Sequence, residues 1–237
     1  MTEDLHQLRS SHLGNERTIW IRPPKAGTCA GKLVIFLDAE LYREKVAALE
    51  VIEGLEADPA FPSVLYVFVS YATPEARWIE CPCHPPFARF IAEELMPWLQ
   101  GLHPEAATCA ERVLVGLSYT GLAAAYVALQ APGLFTKVIA QSGSFWSADG
   151  WLIEQYRQAR GPFSDFYLDV GSKEDQENVQ HKEDLIQEMS QIEGVTRFRD
   201  VLTAKGVSPR YVMFEGGHDC GAWKRTLPGA LRWALGG

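Results

Sequence analysis

No run of apolar residues in this chain approaches membrane-spanning length, and none near its start has the length of a signal-peptide core. The first residues, Met1-Thr2-Glu3-Asp4-Leu5-His6, are polar and acidic. We therefore expect no secretory leader and a cytoplasmic location. Cysteine is sparse: five residues, Cys29, Cys81, Cys83, Cys109 and Cys220, are scattered and odd in number. That excludes a dense disulfide framework and fits free thiols in a reducing compartment. Cys81-Pro82-Cys83-His84 has no second Cys/His pair at ligand spacing, so no structural metal is expected. Positive charge is also short, with 22 Lys and Arg against 30 Asp and Glu and a formal net charge of −8. Nucleic acid and anionic membrane surfaces are poor partners for such a chain. There is no internal repeat, low-complexity tract or long linker. What remains is 237 residues that are 47% hydrophobic, enough to build one sizeable core. We read residues 1–237 as one α/β domain.

Strand-like and helix-like runs alternate along the chain, the pattern of a mostly parallel central sheet with helices on both faces. Arg17–Arg22 alternates and stops at Pro23-Pro24, as a half-exposed early strand does. Lys32–Leu37 and Val64–Val69 are continuous apolar runs and read as buried strands. Helical spacing covers Arg43–Glu56 and Phe87–Leu99. Lys137–Ala140 reads as a further strand, Val179–Lys205 as a long helical region, and Ala222–Leu235 as a closing helix.

The densest chemical signal is Arg112-Val113-Leu114-Val115-Gly116-Leu117-Ser118-Tyr119-Thr120-Gly121-Leu122-Ala123-Ala124-Ala125. A β-branched run meets Gly-x-Ser and passes into an Ala-rich helix former, the strand–turn–helix context of a nucleophile elbow with Ser118 at its tip. The bland alternative is an ordinary strand–helix junction. A serine hydroxyl is a weak nucleophile near neutral pH, so the motif matters only if an acid and a histidine follow. Both do. Asp165–Asp175 reads as a strand ending in a polar loop that holds Glu174 and Asp175, and Arg210–Asp219 as a strand ending in a Gly-rich turn that carries His218. Ser118 is the expected nucleophile and His218 the general base, then acid. The other five histidines read as surface residues. Glu174 is the favoured partner of the imidazole, with Asp175 next. Asp169, inside the strand, and Asp219, beside the histidine, fit less well. Two backbone donors should face the developing oxyanion: the Tyr119 N–H, and the Glu40 N–H from the loop after Leu37-Asp38-Ala39.

Taken together these segments resemble the enterochelin-esterase branch of the esterase D superfamily of serine hydrolases, over most of the chain. Leu37-Asp38-Ala39-Glu40 is similar to that family's Leu-Asp-Gly-Glu, Arg77-Trp78-Ile79-Glu80 to its Arg-x-x-Glu, and Glu93-Glu94-Leu95-Met96-Pro97-Trp98-Leu99 to its Glu-Glu-Leu-x-Pro-Trp helix. Gln141–Trp146, Val170–Glu174 and Gly217-His218-Asp219 are similar as well. The resemblance implies an α/β-hydrolase fold, no cofactor, and hydrolysis of carboxylic esters through an acyl-enzyme. It also implies that the N-terminal domain of the longer siderophore esterases has no room in these residues. Three positions depart from the pattern: Thr120 where the family has Gly two residues after the nucleophile, Ala39 for Gly, and Cys220 for Trp, with Trp223 retained.

Candidate substrate contacts are Arg77, Trp78 and Trp146. Each has a structural alternative, an Arg77–Glu80 salt bridge and core packing of the two rings. Cationic residues near the motifs are few, Arg77 and Arg89, against Glu40, Glu80, Glu174, Asp175 and Asp219. A strongly anionic ferric catecholate would call for more. The expected partner is a small-molecule ester: a siderophore-type lactone, an acylated sugar or a phenolic ester. A thioesterase or acyltransferase on the same three residues, and a catalytically silent binding protein on the same fold, are the competing readings.

Overall fold

The computed structural model describes residues 3–25, 27 and 30–236; Met1, Thr2 and Cys29, which enter the expectations on leader and thiols, lie outside them. An eight-stranded sheet forms the centre. Its strands are β1 (Asp4–Arg9), β2 (Glu16–Arg22), β3 (Lys32–Leu37), β4 (Leu65–Val69), β5 (Glu111–Leu117), β6 (Lys137–Gln141), β7 (Asp165–Gly171) and β10 (Arg210–Phe214). Their spatial order is β1-β2-β4-β3-β5-β6-β7-β10. The pairs β1–β2 and β2–β4 are antiparallel and every pair from β4 to β10 is parallel. β8 (Val179–Lys182) and β9 (Leu185–Gln187) form a separate antiparallel hairpin.

The period-two pattern of each central strand splits the core in two. Leu33, Ile35 and Leu37 of β3 and Leu65, Val67 and Val69 of β4 face one cluster; Val34, Phe36, Tyr66 and Phe68 face the other. The first cluster is covered by α2 (Pro74–Glu80), α3 (Pro85–Arg89), α4 (Met96–Leu102), α5 (Glu105–Thr108), α6 (Tyr119–Gln130), α7 (Ser147–Gln158) and α8 (Gln191–Ala204); the second by α1 (Ala48–Glu56) and α9 (Cys220–Leu235). The fold is the mostly parallel, doubly covered α/β sheet expected from the sequence. Among the described residues no helix is long and apolar enough to cross a membrane.

Three expectations need correction. The helix expected over Arg43–Glu56 is broken: a π-helical turn (Leu41–Lys45) precedes α1, and Ala47 between them is left-handed at φ 55°. The run Phe87–Leu99 is helical throughout but not uniformly α. Phe90–Leu95 is a π-helical turn, in which the Met96 N–H reaches back to the Ile91 carbonyl. Pro97 explains it, because a proline ring clashes with the preceding turn and a widened turn relieves the clash. Val179–Lys205 is not one helix. Its first part is the β8–β9 hairpin, and α8 starts only where the Ser190 hydroxyl accepts from the Glu193 N–H. β1 is an addition: its exposed strand gives too weak an alternation to announce itself.

Candidate active site

The C-terminal ends of β3, β5, β6, β7 and β10 meet at one rim of the sheet, where open parallel sheets place their sites. At its centre β5 ends in Leu117 and α6 begins at Tyr119, leaving Ser118 alone in the turn at φ 52° and ψ −123°. A non-glycine residue is strained there and persists only because its surroundings hold it. The Ser118 N–H donates to the Gln141 carbonyl (2.9 Å), while the Ser118 carbonyl accepts from the N–H groups of Ser144 (3.0 Å) and Leu122 (3.2 Å). The Gly-x-Ser spacing has a steric reason. A Cβ on Gly116 would lie 2.1 Å from the Thr120 carbonyl oxygen, so no side chain fits. The buried run Leu122-Ala123-Ala124-Ala125 then lets α6 press close against the sheet.

His218 Nε2 lies 2.9 Å from Ser118 Oγ, and His218 Nδ1 lies 2.6 Å from Glu174 Oε2. A carboxylate only accepts, so the Nδ1–H donates to Glu174 and Nε2 is left to take the Ser118 proton. The Glu174 side chain is 1% exposed. Its other oxygen, Oε1, accepts from the Gly171 N–H (2.7 Å) and the Ser142 hydroxyl (2.7 Å). Ser142 Oγ in turn accepts from Trp223 Nε1 (3.0 Å), and the Trp223 ring meets the imidazole edge to face at 4.9 Å. The carboxylate is thus buried, saturated with donors and aimed. Asp175 is exposed, and Asp219 accepts from the Ala222 N–H (2.9 Å) as the cap of α9. Asp169 is wholly buried beneath the site, where it accepts from the Ser142 N–H at 3.0 Å. Burial pushes its carboxyl up to about 7, and the neighbouring Glu174 adds to the rise against opposing hydrogen bonds.

On the other flank of the elbow, Asp38 follows β3 at φ 62° and is buried. Arg77 grips it bidentately, Nε at 2.8 Å from Oδ1 and Nη2 at 2.6 Å from Oδ2. The Thr120 hydroxyl accepts from the Leu117 N–H at 3.0 Å, and its one hydrogen has Asp38 Oδ2 (3.1 Å) and the Leu117 carbonyl (2.8 Å) within reach. The threonine that replaces a glycine in the resembled motif therefore ties the elbow to the loop after β3. Arg77 does not pair with Glu80, which is bound instead by Arg17 and Asn15. Tyr119 lines the cavity above Ser118; Glu40 does not. Burial raises the Glu40 carboxyl to about 7, opposed by its own backbone N–H and that of Tyr71.

That cavity measures about 460 Å³ and is walled by Arg77, Trp78, Tyr119, Trp146 and Lys173, with Val179, His181 and Gln187 contributed by the hairpin. All three predicted substrate contacts, Arg77, Trp78 and Trp146, stand in this wall. Trp146 is fixed by Gln191, which accepts from its Nε1 at 2.7 Å and donates to the Ser142 carbonyl. His181, read from sequence as a surface residue, stacks on Trp146 with ring centroids 5.1 Å apart and planes 5° apart. Lys182 sits over the Trp78 ring at 4.4 Å. Glu174 is the one carboxylate in the wall; Glu40, Glu80, Asp175 and Asp219 are outside it. Fewer carboxylates face the cavity than the motif segments suggested, while the Arg77 charge is offset by Asp38. Sequence reasoning missed Ser142, Gln191, His181 and the Asp38–Arg77 pair. Asp38, Arg77 and Ser142 carried a signal, as members of three motifs that had not been joined; Gln191 and His181 carried none. Among the described residues no group of three or more His, Cys, Asp or Glu is placed to hold a metal ion.

The family model for Esterase matches residues 10–234. The chain is 28% identical over 241 residues to the iron(III) enterobactin esterase of Dickeya dadantii, covering 97% of this chain and 54% of that protein. It is 28% identical over 156 residues to the Escherichia coli K12 protein of the same description, covering 63% of this chain and 39% of that one. The chain thus spans about half, or less, of the length of these curated relatives. Among solved structures, the Shigella flexneri enterobactin esterase crystallised in the presence of enterobactin superimposes with a TM-score of 0.84 at 24% identity, covering 98% of this chain and 58% of that one. A ferulic acid esterase does so at 0.75 and 14% identity, covering 99% and 98% of the two chains. These likenesses establish the α/β-hydrolase fold.

Proposed function

We propose, for a chain that belongs to the Esterase family, a serine hydrolase that cleaves a small carboxylic ester through an acyl-enzyme. The observation that carries this reading is the continuous chain Ser118–His218–Glu174, with contacts of 2.9 and 2.6 Å at the rim of the sheet. Ser118 Oγ attacks the ester carbonyl carbon and passes its proton to His218 Nε2. Glu174 holds the imidazole in the required tautomer and steadies its positive charge. The carbon–oxygen bond to the alcohol then breaks, and that oxygen takes the proton from Nε2. Water repeats the sequence on the acyl-enzyme and releases the acid. The Tyr119 N–H is one oxyanion donor, and the loop after Asp38, with the Glu40 N–H as the sequence candidate, is the source of the other. No cofactor enters any step.

Arg77, Trp78 and Trp146 are the substrate contacts, and the ringed wall favours an ester bearing a planar group. The relatives described as enterobactin esterases and the ferulic acid esterase neighbour support siderophore-type or phenolic esters as the class to try first. A reducing, cytoplasmic setting accords with the free thiols Cys81, Cys83 and Cys220. We take the partner to be a small molecule, with neither nucleic acid nor membrane, and residues 1–237 to act as one domain. A fluorophosphonate probe should label the wild-type chain and fail on Ser118→Ala. The same variant should lose on the order of ten-thousandfold or more in 4-nitrophenyl acetate turnover. A wild-type chain that neither labels nor turns over would end the hydrolase reading.

A further inference from the structure

Ser144 also reaches the nucleophile. Its hydroxyl is 3.3 Å from Ser118 Oγ, and the residue is 2% exposed yet forms part of the cavity wall. Donor arithmetic fixes the sense of this contact. A serine hydroxyl has one hydrogen. If that of Ser118 points to His218 Nε2, as its role as nucleophile requires, then Ser144 donates to Ser118. For an O–H···O bond 3.3 Å is long, so the contact is weak in the resting state. Catalysis rewards a donor whose bond tightens in the transition state.

The sheet order states which oxygen that donor can serve. The loop holding Asp38 follows β3, on one side of β5; Ser144 follows β6 and His218 follows β10, on the other. Ser144 therefore approaches the reacting carbon from the flank of the imidazole and opposite the oxyanion loop. Two oxygens travel through that flank: the alcohol oxygen that leaves and the water oxygen that enters.

We propose that Ser144 is a catalytic residue whose hydroxyl donates a hydrogen bond to the leaving-group oxygen as the tetrahedral intermediate collapses, and to the water oxygen in the return step. The inference rests on the serine-hydrolase reading above. Once Ser118 Oγ is bonded to carbon it is a poorer acceptor, and the Ser144 hydrogen turns to the alcohol oxygen, where negative charge grows until Nε2 delivers its proton. No proton leaves Ser144. The bond to carbon breaks, the alcohol departs with the imidazolium proton, and Ser144 is unchanged. The loop is braced for this task. A Cβ on Gly143 would lie 2.6 Å from the Phe145 ring, and one on Gly121 would lie 3.0 Å from the Gly143 Cα, so Gln141–Trp146 packs directly on the elbow helix.

The test varies the leaving group. Nitrophenoxide departs without help, whereas an alkoxide needs every donor it can find. Ser144→Ala should lower kcat/KM for ethyl acetate about thirtyfold and for 4-nitrophenyl acetate less than about threefold, as expected for loss of one transition-state donor. Ser144→Cys, of nearly the same shape but a weak donor, should show the same split. Both variants should keep fluorophosphonate labelling at Ser118, which reports a folded elbow. Equal losses on the two esters, or no loss on either, would overturn the role. Absence of labelling and turnover in the wild type would instead overturn the serine-hydrolase reading on which it rests.

Discussion

The two walls of the cavity are built differently. On the elbow side the carboxylates of Glu174 and Asp38 are buried and held by several hydrogen bonds: Glu174 by Gly171, Ser142 and His218, and Asp38 by Arg77 and Thr120. On the hairpin side Val179–Lys182 is mostly exposed, and it meets the site through a ring stack and a cation over a ring, with His181 also 2.9 Å from Gln187 within the hairpin. Charge has to move through the first wall, so its dipoles must be in place beforehand. On the proposed reading the second wall meets only the outer parts of a substrate, and changes in it should leave the chemistry undisturbed. On that reading one rim would keep its reaction and its selectivity on separate tethers.

The sharpest way to break this contrast is at the buried carboxylate. Glu174→Gln keeps the shape but cannot hold the same tautomer, and kcat should fall on the order of a hundred- to ten-thousandfold. Asp175→Asn, one residue further along and exposed, should stay within about twofold. Comparable losses in steady-state kinetics would mean that the buried wall is not where the acid acts. A middling effect is expected on the other wall. His181→Ala should reduce kcat/KM for aryl-bearing esters about fivefold, near the 1 kcal/mol worth of one aromatic contact, with kcat on acetate esters and the melting temperature almost unchanged. Loss of acetate turnover would show that the hairpin is coupled to the chemistry after all.

The smallest effect concerns Asp169, behind the elbow wall. Its carboxyl is raised by burial to about 7 from an ordinary 3.8, so the folded chain binds this proton more tightly than the unfolded chain does. That contribution to stability is complete below pH 4 and is lost as pH rises through about 7. Asp169→Asn can still accept from the Ser142 N–H and removes the titration. The drop in melting temperature between pH 5 and pH 8 should therefore be smaller in the variant than in the wild type. An unchanged or steeper drop, measured by calorimetry, would place the relevant titration elsewhere.

Legibility in the sequence follows the same division. Ser118 could be read because Gly116 leaves no room for a Cβ, and His218 because the turn before it needs a glycine at Gly216, with φ 142°. Glu174 could be reached by its place after a strand. The groups that make Glu174 effective could not, since Ser142 and Trp223 are 81 residues apart and meet only when the sheet is assembled. Arg77 invited the wrong partner because Glu80 is one helical turn away, whereas Asp38 lies 39 residues back. The hairpin was hidden by its size: strands of four and three residues give too little alternation to compete with the strong α8 pattern that follows. The π-helical turns were invisible for a similar reason, because a widened turn preserves the apolar stripe that identifies a helix.

His218 is followed at once by Asp219, the cap of α9, and that helix anchors Trp223 to Ser142 in its first turn and accepts the Lys137 ammonium on the Ala234 carbonyl (2.7 Å) in its last. The helix is in effect a splint: one end sets the imidazole, the other is pinned to β6. On the proposed mechanism, a strain applied to its far end would be felt at the imidazole that moves the proton.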